Sequence, residues 1–177
     1  MQKLLTTALL TFCAISFKSQ IFIQKYQDRV NQVSQTNITD NLMEFEKLGI
    51  KTTGSSENNN ALLWIKDKYI SFGYNEDQII EDPFSVGRMK SKNLIITKKG
   101  TKFPDKYIII CGHFDSINGP GVNDNGSGTS IILETARILK DVPTEYSIKF
   151  IHFSGEEQGL YGSKHYANEV VFNGKQR

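Results

Sequence analysis

Apolar positions along this chain recur with two periods, one near three to four residues and one of continuous short runs. From Asn37 to Leu48, Leu42, Met43, Phe45 and Leu48 follow helical spacing behind Asn37, Thr39 and Asp40 as candidate caps, and Gly49 closes the run. Turn and cap residues fill 51–60, after which Ala61, Leu62, Ile65, Tyr69 and Ile70 outline a second helix that stops at Gly73. Lys92 to Thr97 reads as a strand. Tyr107-Ile108-Ile109-Ile110-Cys111 is an unbroken apolar run, the pattern of a central strand covered on both faces. Ile131, Ile132, Ala136, Ile138 and Leu139 form a helical stripe ending before Pro143, and Ile148 to Phe153 is another strand. Strand, helix and strand in this order predict a βαβ unit, whose loops after the strands gather on one edge of the sheet.

The amino terminus follows neither period. Lys3 precedes an apolar stretch from Leu4 to Phe17, broken only by Thr6, Thr7, Thr11 and Ser16, and Lys18-Ser19-Gln20 ends it. A membrane-crossing helix needs about 20 apolar residues, so residues 1–20 are read as a signal peptide, with a secreted or periplasmic protein and no stable membrane insertion as the expectation. Phe17 fits poorly before a cut after Ser19, and bulky Phe12 argues against lipidation at Cys13. Residues 21–177 are read as one domain. Loss of Lys3 and Lys18 brings the formal charge from +2 to 0, which gives no electrostatic case for nucleic acid. Cys111 is then the sole cysteine, so no internal disulfide is available, and it reads as a small apolar residue ending a buried strand.

Three polar islands stand at the ends of these elements: Gly112-His113-Phe114-Asp115-Ser116, Gly121-Val122-Asn123-Asp124-Asn125-Gly126-Ser127-Gly128, and Ser154-Gly155-Glu156-Glu157-Gln158-Gly159. Each alone is compatible with a polar turn or a solvated surface. Together, at the ends of strands and the start of a helix, they supply one imidazole and several carboxylates, a donor set that a borderline cation such as zinc accepts. Asp124 has two oxygens with which to bridge two ions. Asp115 is placed to accept the other ring N–H of His113 and so fix its tautomer. Adjacent Glu156 and Glu157 point different ways on extended backbone, so one can bind metal while the other faces water.

With Gly49-Ile50-Lys51-Thr52-Thr53-Gly54-Ser55 and the continuation Leu160-Tyr161-Gly162-Ser163, these segments resemble the secreted bacterial di-zinc aminopeptidases, relatives of glutamate carboxypeptidase II and glutaminyl cyclase. The resemblance implies an α/β, three-layer zinc-exopeptidase-like fold with a mostly parallel mixed sheet flanked by helices. It implies that His113 and Glu157 each bind one of two zinc ions, that Asp124 bridges both ahead of a cis peptide, and that Glu156 is the general base. Peptides with a free N-terminus are the implied substrates. It also implies one further Asp and one further His from later loops. No Asp follows Asp141, His165 reads as solvent-facing, and His152 as a packed or edge residue. The expectation is therefore the amino-terminal part of a longer enzyme that, alone, holds zinc weakly or is inactive. Two alternatives stay open: a glutaminyl cyclase-like zinc acyltransferase, which the Asn125-Gly126-Ser127-Gly128 loop disfavours, and a non-catalytic peptidase-like binding module. Sequons at Asn37 and Asn125 are read as incidental.

Overall fold

The computed structural model describes residues 23–174, so the amino-terminal run read as a signal peptide lies outside the described residues. The chain divides after Asn31 into two units. In the first, one short helix is described, α1 (Gln24–Val30). The second holds α2 (Gln35–Lys47), α3 (Ser56–Ser71), β1 (Ile79–Val86), β2 (Met89–Lys98), β3 (Phe103–His113), α4 (Ser127–Leu139), β4 (Tyr146–Phe153) and α5 (Tyr161–Ala167).

Helix starts follow capping chemistry. Ser34 caps α2, accepting from the Asn37 amide, in place of the expected caps further along, and Ser55 caps α3 through the Asn58 amide. Gly73, at φ 89°, takes the left-handed turn that closes α3. β2 contains the strand expected at Lys92–Thr97, and β1, which has no counterpart among the expected elements, pairs with it in a hairpin that turns at Gly87-Arg88 with Gly87 at φ 59°. Pro83 sits in β1, an edge strand where a missing N–H is tolerated.

The four described strands lie in the order β1-β2-β4-β3. The β1–β2 and β2–β4 pairings are antiparallel and β3–β4 is parallel, the last joined by α4 as the sequence predicts. The sheet is mixed, as expected, but antiparallel pairing predominates among the described strands because the hairpin enters antiparallel to β4. On one face, Leu94, Ile96, Ile148 and Phe150 pack with Phe45 of α2, Ala61, Leu62, Ile65 and Tyr69 of α3, and Ile132, Leu133 and Ala136 of α4. Burying each large side chain contributes about 1.5–3 kcal/mol, so this face carries most of the stability. On the other face, Ile95 and Ile151 meet Tyr166 of α5. The layers are thus helix, sheet, helix.

β3 corrects the sequence reading. Among the described strands it lies at the edge of the sheet, and Tyr107, Ile108, Ile109 and Cys111 are exposed rather than covered. The strands buried on both faces are β2 and β4, the two central ones, which lie between α2, α3 and α4 on one side and α5 on the other. Among the described residues no helix is long and apolar enough to cross a membrane.

Candidate metal centre

Parallel pairing of β3 with β4 in the register His113↔Phe153 ends both strands at one level. The Phe114 amide still donates to the Phe153 carbonyl at 3.0 Å, so the His113 and Glu156 loops leave the sheet side by side. α4 starts beside them, preceded by the Asp124 turn, where Gly121 at φ 62° and the cis Asp124–Asn125 bond bend the chain. Asn125 Oδ1 accepts from the Gly128 amide at 3.0 Å, and a side chain at Gly128 would collide with that same group.

The topology brings together His113, Asp115, Asp124 and Glu156, while Glu157 joins them through its amide on Asp115. His113 Nε2 stands 3.1 Å from Asp124 Oδ1 and 3.8 Å from Glu156 Oε2. On the opposite side of the ring, Nδ1 is 3.3 Å from the Asp115 carbonyl oxygen and 3.5 Å from its Oδ1. The carbonyl is the nearer partner, so Asp115 orients the imidazole chiefly through its backbone. Its fully buried carboxylate has other work: Oδ1 accepts from the Glu156 amide and Oδ2 from the Glu157 amide, each at 3.2 Å, and Thr53 Oγ1 donates to Oδ2 at 3.3 Å. Asp115 therefore ties the first island to the third, beyond the tautomer role expected from sequence.

Negative charge accumulates at this opening. Burial disfavours a charged His113, yet the Asp115, Glu156 and Asp124 carboxylates outweigh it and push the ring up to about 9. Glu157 is held above the usual carboxylate range, first by desolvation and then by Asp124, with His113 pulling the other way. Among the described residues, no three His, Cys, Asp or Glu side chains already stand as a closed metal-binding group. The donor chemistry nevertheless fits a divalent cation: one oriented imidazole nitrogen and carboxylates whose mutual repulsion a cation would neutralise.

The other histidines are elsewhere. His152 is packed, as expected, with Nε2 2.9 Å from the Tyr69 hydroxyl. His165 does not face solvent: it lies against the Phe84 ring, with Nε2 3.4 Å from Asp82 Oδ1. The sequence reading missed the polar residues beneath the loops. Lys51, fully buried, donates to the Gly49 and Pro120 carbonyls at 2.7 Å each, and Ser154 Oγ is shared with Asn58, Ser91 and Thr53. Their signal was present as polar residues inside or beside apolar runs.

Comparison with known proteins bears on this geometry. Aminopeptidase YwaD of Bacillus subtilis is 38% identical over 142 residues, covering 79% of this chain and 29% of that protein. The Legionella pneumophila LapA aminopeptidase structure superposes with a TM-score of 0.72 at 23% identity, covering 89% of this chain and 45% of that one. A glutaminyl cyclase of Fimbriiglobus ruber has a TM-score of 0.69 at 20% identity over 79% and 56%. These two likenesses concern the fold. The chain spans between 16% and 40% of the lengths of the curated relatives it matches. The profile of Peptidase family M28 matches residues 93–176, the segment that carries all three islands, so this segment is what the chain shares with that family.

Proposed function

We propose that this chain supplies part of the active centre of an exported zinc aminopeptidase, with His113, Asp124 and Glu157 as zinc donors and Glu156 as general base. The observation that carries the reading is His113 Nε2 facing Asp124 and Glu156, with the other ring nitrogen turned to Asp115. Relatives named as aminopeptidases and as probable zinc metalloproteases support the reaction class and the metal. Export rests on the composition of residues 1–20.

Zinc, when bound, supplies Lewis acidity, polarising a carbonyl oxygen and acidifying water toward a pKa of about 7. The residues supply the rest. Asp124 and Glu157 give the site its negative charge, which also suits the ammonium of a peptide's free N-terminus. Glu156, reached by solvent and beside His113, takes the proton of the attacking water and returns it to the leaving amine. Asp115 holds the His113 ring from behind and both glutamate amides from below, so base and donors keep their spacing.

The test uses the full chain with added zinc and an amino-acid p-nitroanilide. Glu156→Ala is expected to cut turnover by about 10²–10⁴-fold while leaving bound zinc unchanged. Measurable turnover by the unsubstituted chain that Glu156→Ala leaves unchanged would remove Glu156 as base. Cyclisation of N-terminal glutamine peptides in place of anilide hydrolysis would favour the acyltransferase alternative, which shares the fold.

A further inference from the structure

Asn93 is a polar residue in the middle of β2, fully buried and followed by fully buried Leu94, Ile95 and Ile96. Its amide is used completely. Nδ2 donates to Asp82 Oδ2 at 3.1 Å, across the β1–β2 pair, and to the Gly162 carbonyl at 3.0 Å. Oδ1 accepts from the Ser154 amide at 3.2 Å. A carboxylate accepts and does not donate, so buried Asp82 dictates that the NH₂ end faces it and the oxygen faces Ser154. Ser154 and Gly162 are the two ends of the loop that carries Glu156 and Glu157. They also bond to each other, Gly162 amide to Ser154 carbonyl at 3.0 Å, and the Tyr161 amide closes onto the Gly155 carbonyl at 2.8 Å. Any side chain at Gly162 would overlap Asn93 Oδ1, which makes glycine part of the same fitting.

We infer that Asn93, oriented by Asp82, is a positioning residue for the Glu156–Glu157 loop, clamping both its ends while Asp115 holds its middle. The inference rests on the proposed roles of Glu156 and Glu157, but the clamp itself is a matter of hydrogen bonding. An exchange of partners tests it. Asn93→Asp puts a second carboxylate against Asp82 and leaves the Gly162 carbonyl without its donor. The double variant Asn93→Asp with Asp82→Asn restores a donor at position 82 facing an acceptor at position 93, and keeps an acceptor for Ser154.

Two readouts are taken on the full chain: amide hydrogen exchange, and zinc affinity by competition with a chelator. In Asn93→Asp the amides of Ser154, Glu156, Glu157 and Gly162 should exchange about tenfold faster while those of α3 and α4 keep their protection. Zinc binding should weaken about 10- to 100-fold, the usual effect of losing an outer partner of a metal site. The double variant should recover part of both, chiefly at Ser154, since the Gly162 carbonyl still lacks its donor. If Asn93→Asp does not fold, Asp82→Asn alone, which frees the Asn93 amide to turn over, is read at the same amides. Loop amides and zinc affinity unchanged in a folded variant, or a double variant no better than Asn93→Asp, would overturn the clamp. A chain that takes up no zinc would sink the proposed function, while the exchange data would still decide on Asn93.

Discussion

Burial pushes the ring of His152 down to about 3, while His113, nearly as buried, is lifted to about 9. The difference is company: His113 has three carboxylates around it, and His152 has the neutral Tyr69 hydroxyl at Nε2 and no hydrogen-bond partner at Nδ1. His152 therefore stays neutral in the folded chain across the pH range in which an unfolded histidine, at 6.5, gains a proton. Below that value the unfolded state binds more protons than the folded one, so the His152 contribution to stability is complete above pH 6.5 and is lost as the pH falls toward 3. The slope is at most about 1.4 kcal/mol per pH unit from this group. Titrating carboxylates add their own slopes, so the measurement is comparative. Urea unfolding at pH 6 and pH 4 is expected to show a smaller loss for the double variant His152→Leu, Tyr69→Phe, which removes both partners together. Equal losses in variant and unsubstituted chain would mean that His152 is protonated without cost.

At the scale of elements, Lys51 joins two segments that the sequence separates widely. Its ammonium donates to the carbonyl of Gly49, just past α2, and to that of Pro120, at the start of the Asp124 loop, with the Phe45 ring 3.8 Å away. Burial brings it down to about 8, so it is still charged at neutral pH. Lys51→Met keeps the length and removes the donor. Two carbonyls then lose a partner, each worth about 1–3 kcal/mol, partly offset by relief of the buried charge, so a net loss of about 1–3 kcal/mol by urea unfolding is expected. Stability equal to the unsubstituted chain would show that the strap contributes nothing. What was readable in the sequence follows from where the determining physics lies. The helices announced themselves through Phe45, Ile65 and Ala136 because amphipathic period and end signals are local. The islands were legible because the β3–α4–β4 unit alone brings His113 to Phe153, whatever surrounds it. Asn93, Lys51 and the role of Gly162 were not, since each acts on a partner far along the chain. The first strand of the β1–β2 hairpin was hidden by Pro83 and by Glu81 and Asp82, residues that weaken a strand pattern.

For the molecule as a whole, the misjudged strand is also the one with consequences. Tyr107 to Cys111 reads as an interior strand because apolar runs do not state how many neighbours a strand has. In the sheet, β3 pairs with β4 on one side and with no described strand on the other, and Tyr107, Ile108 and Ile109 remain 41%, 51% and 48% exposed. An edge that is apolar, β-branched and free of proline through this run is the template on which chains pair with each other. Ile109 lies opposite Lys149, whose ammonium rests over the Tyr107 ring at 4.6 Å and whose pKa burial lowers. A glutamate at position 109 would put charge on the edge and give Lys149 a cross-strand partner, whereas a lysine there would oppose a like charge. Both Ile109→Glu and Ile109→Lys should therefore reduce concentration-dependent association, followed by light scattering in reducing buffer so that exposed Cys111 does not cross-link. They should differ in stability, with Ile109→Lys the weaker of the two by about 0.5–1 kcal/mol. If the unsubstituted chain scatters no more than either variant as concentration rises, the β3 edge is already guarded and the exposure of its isoleucines has no cost.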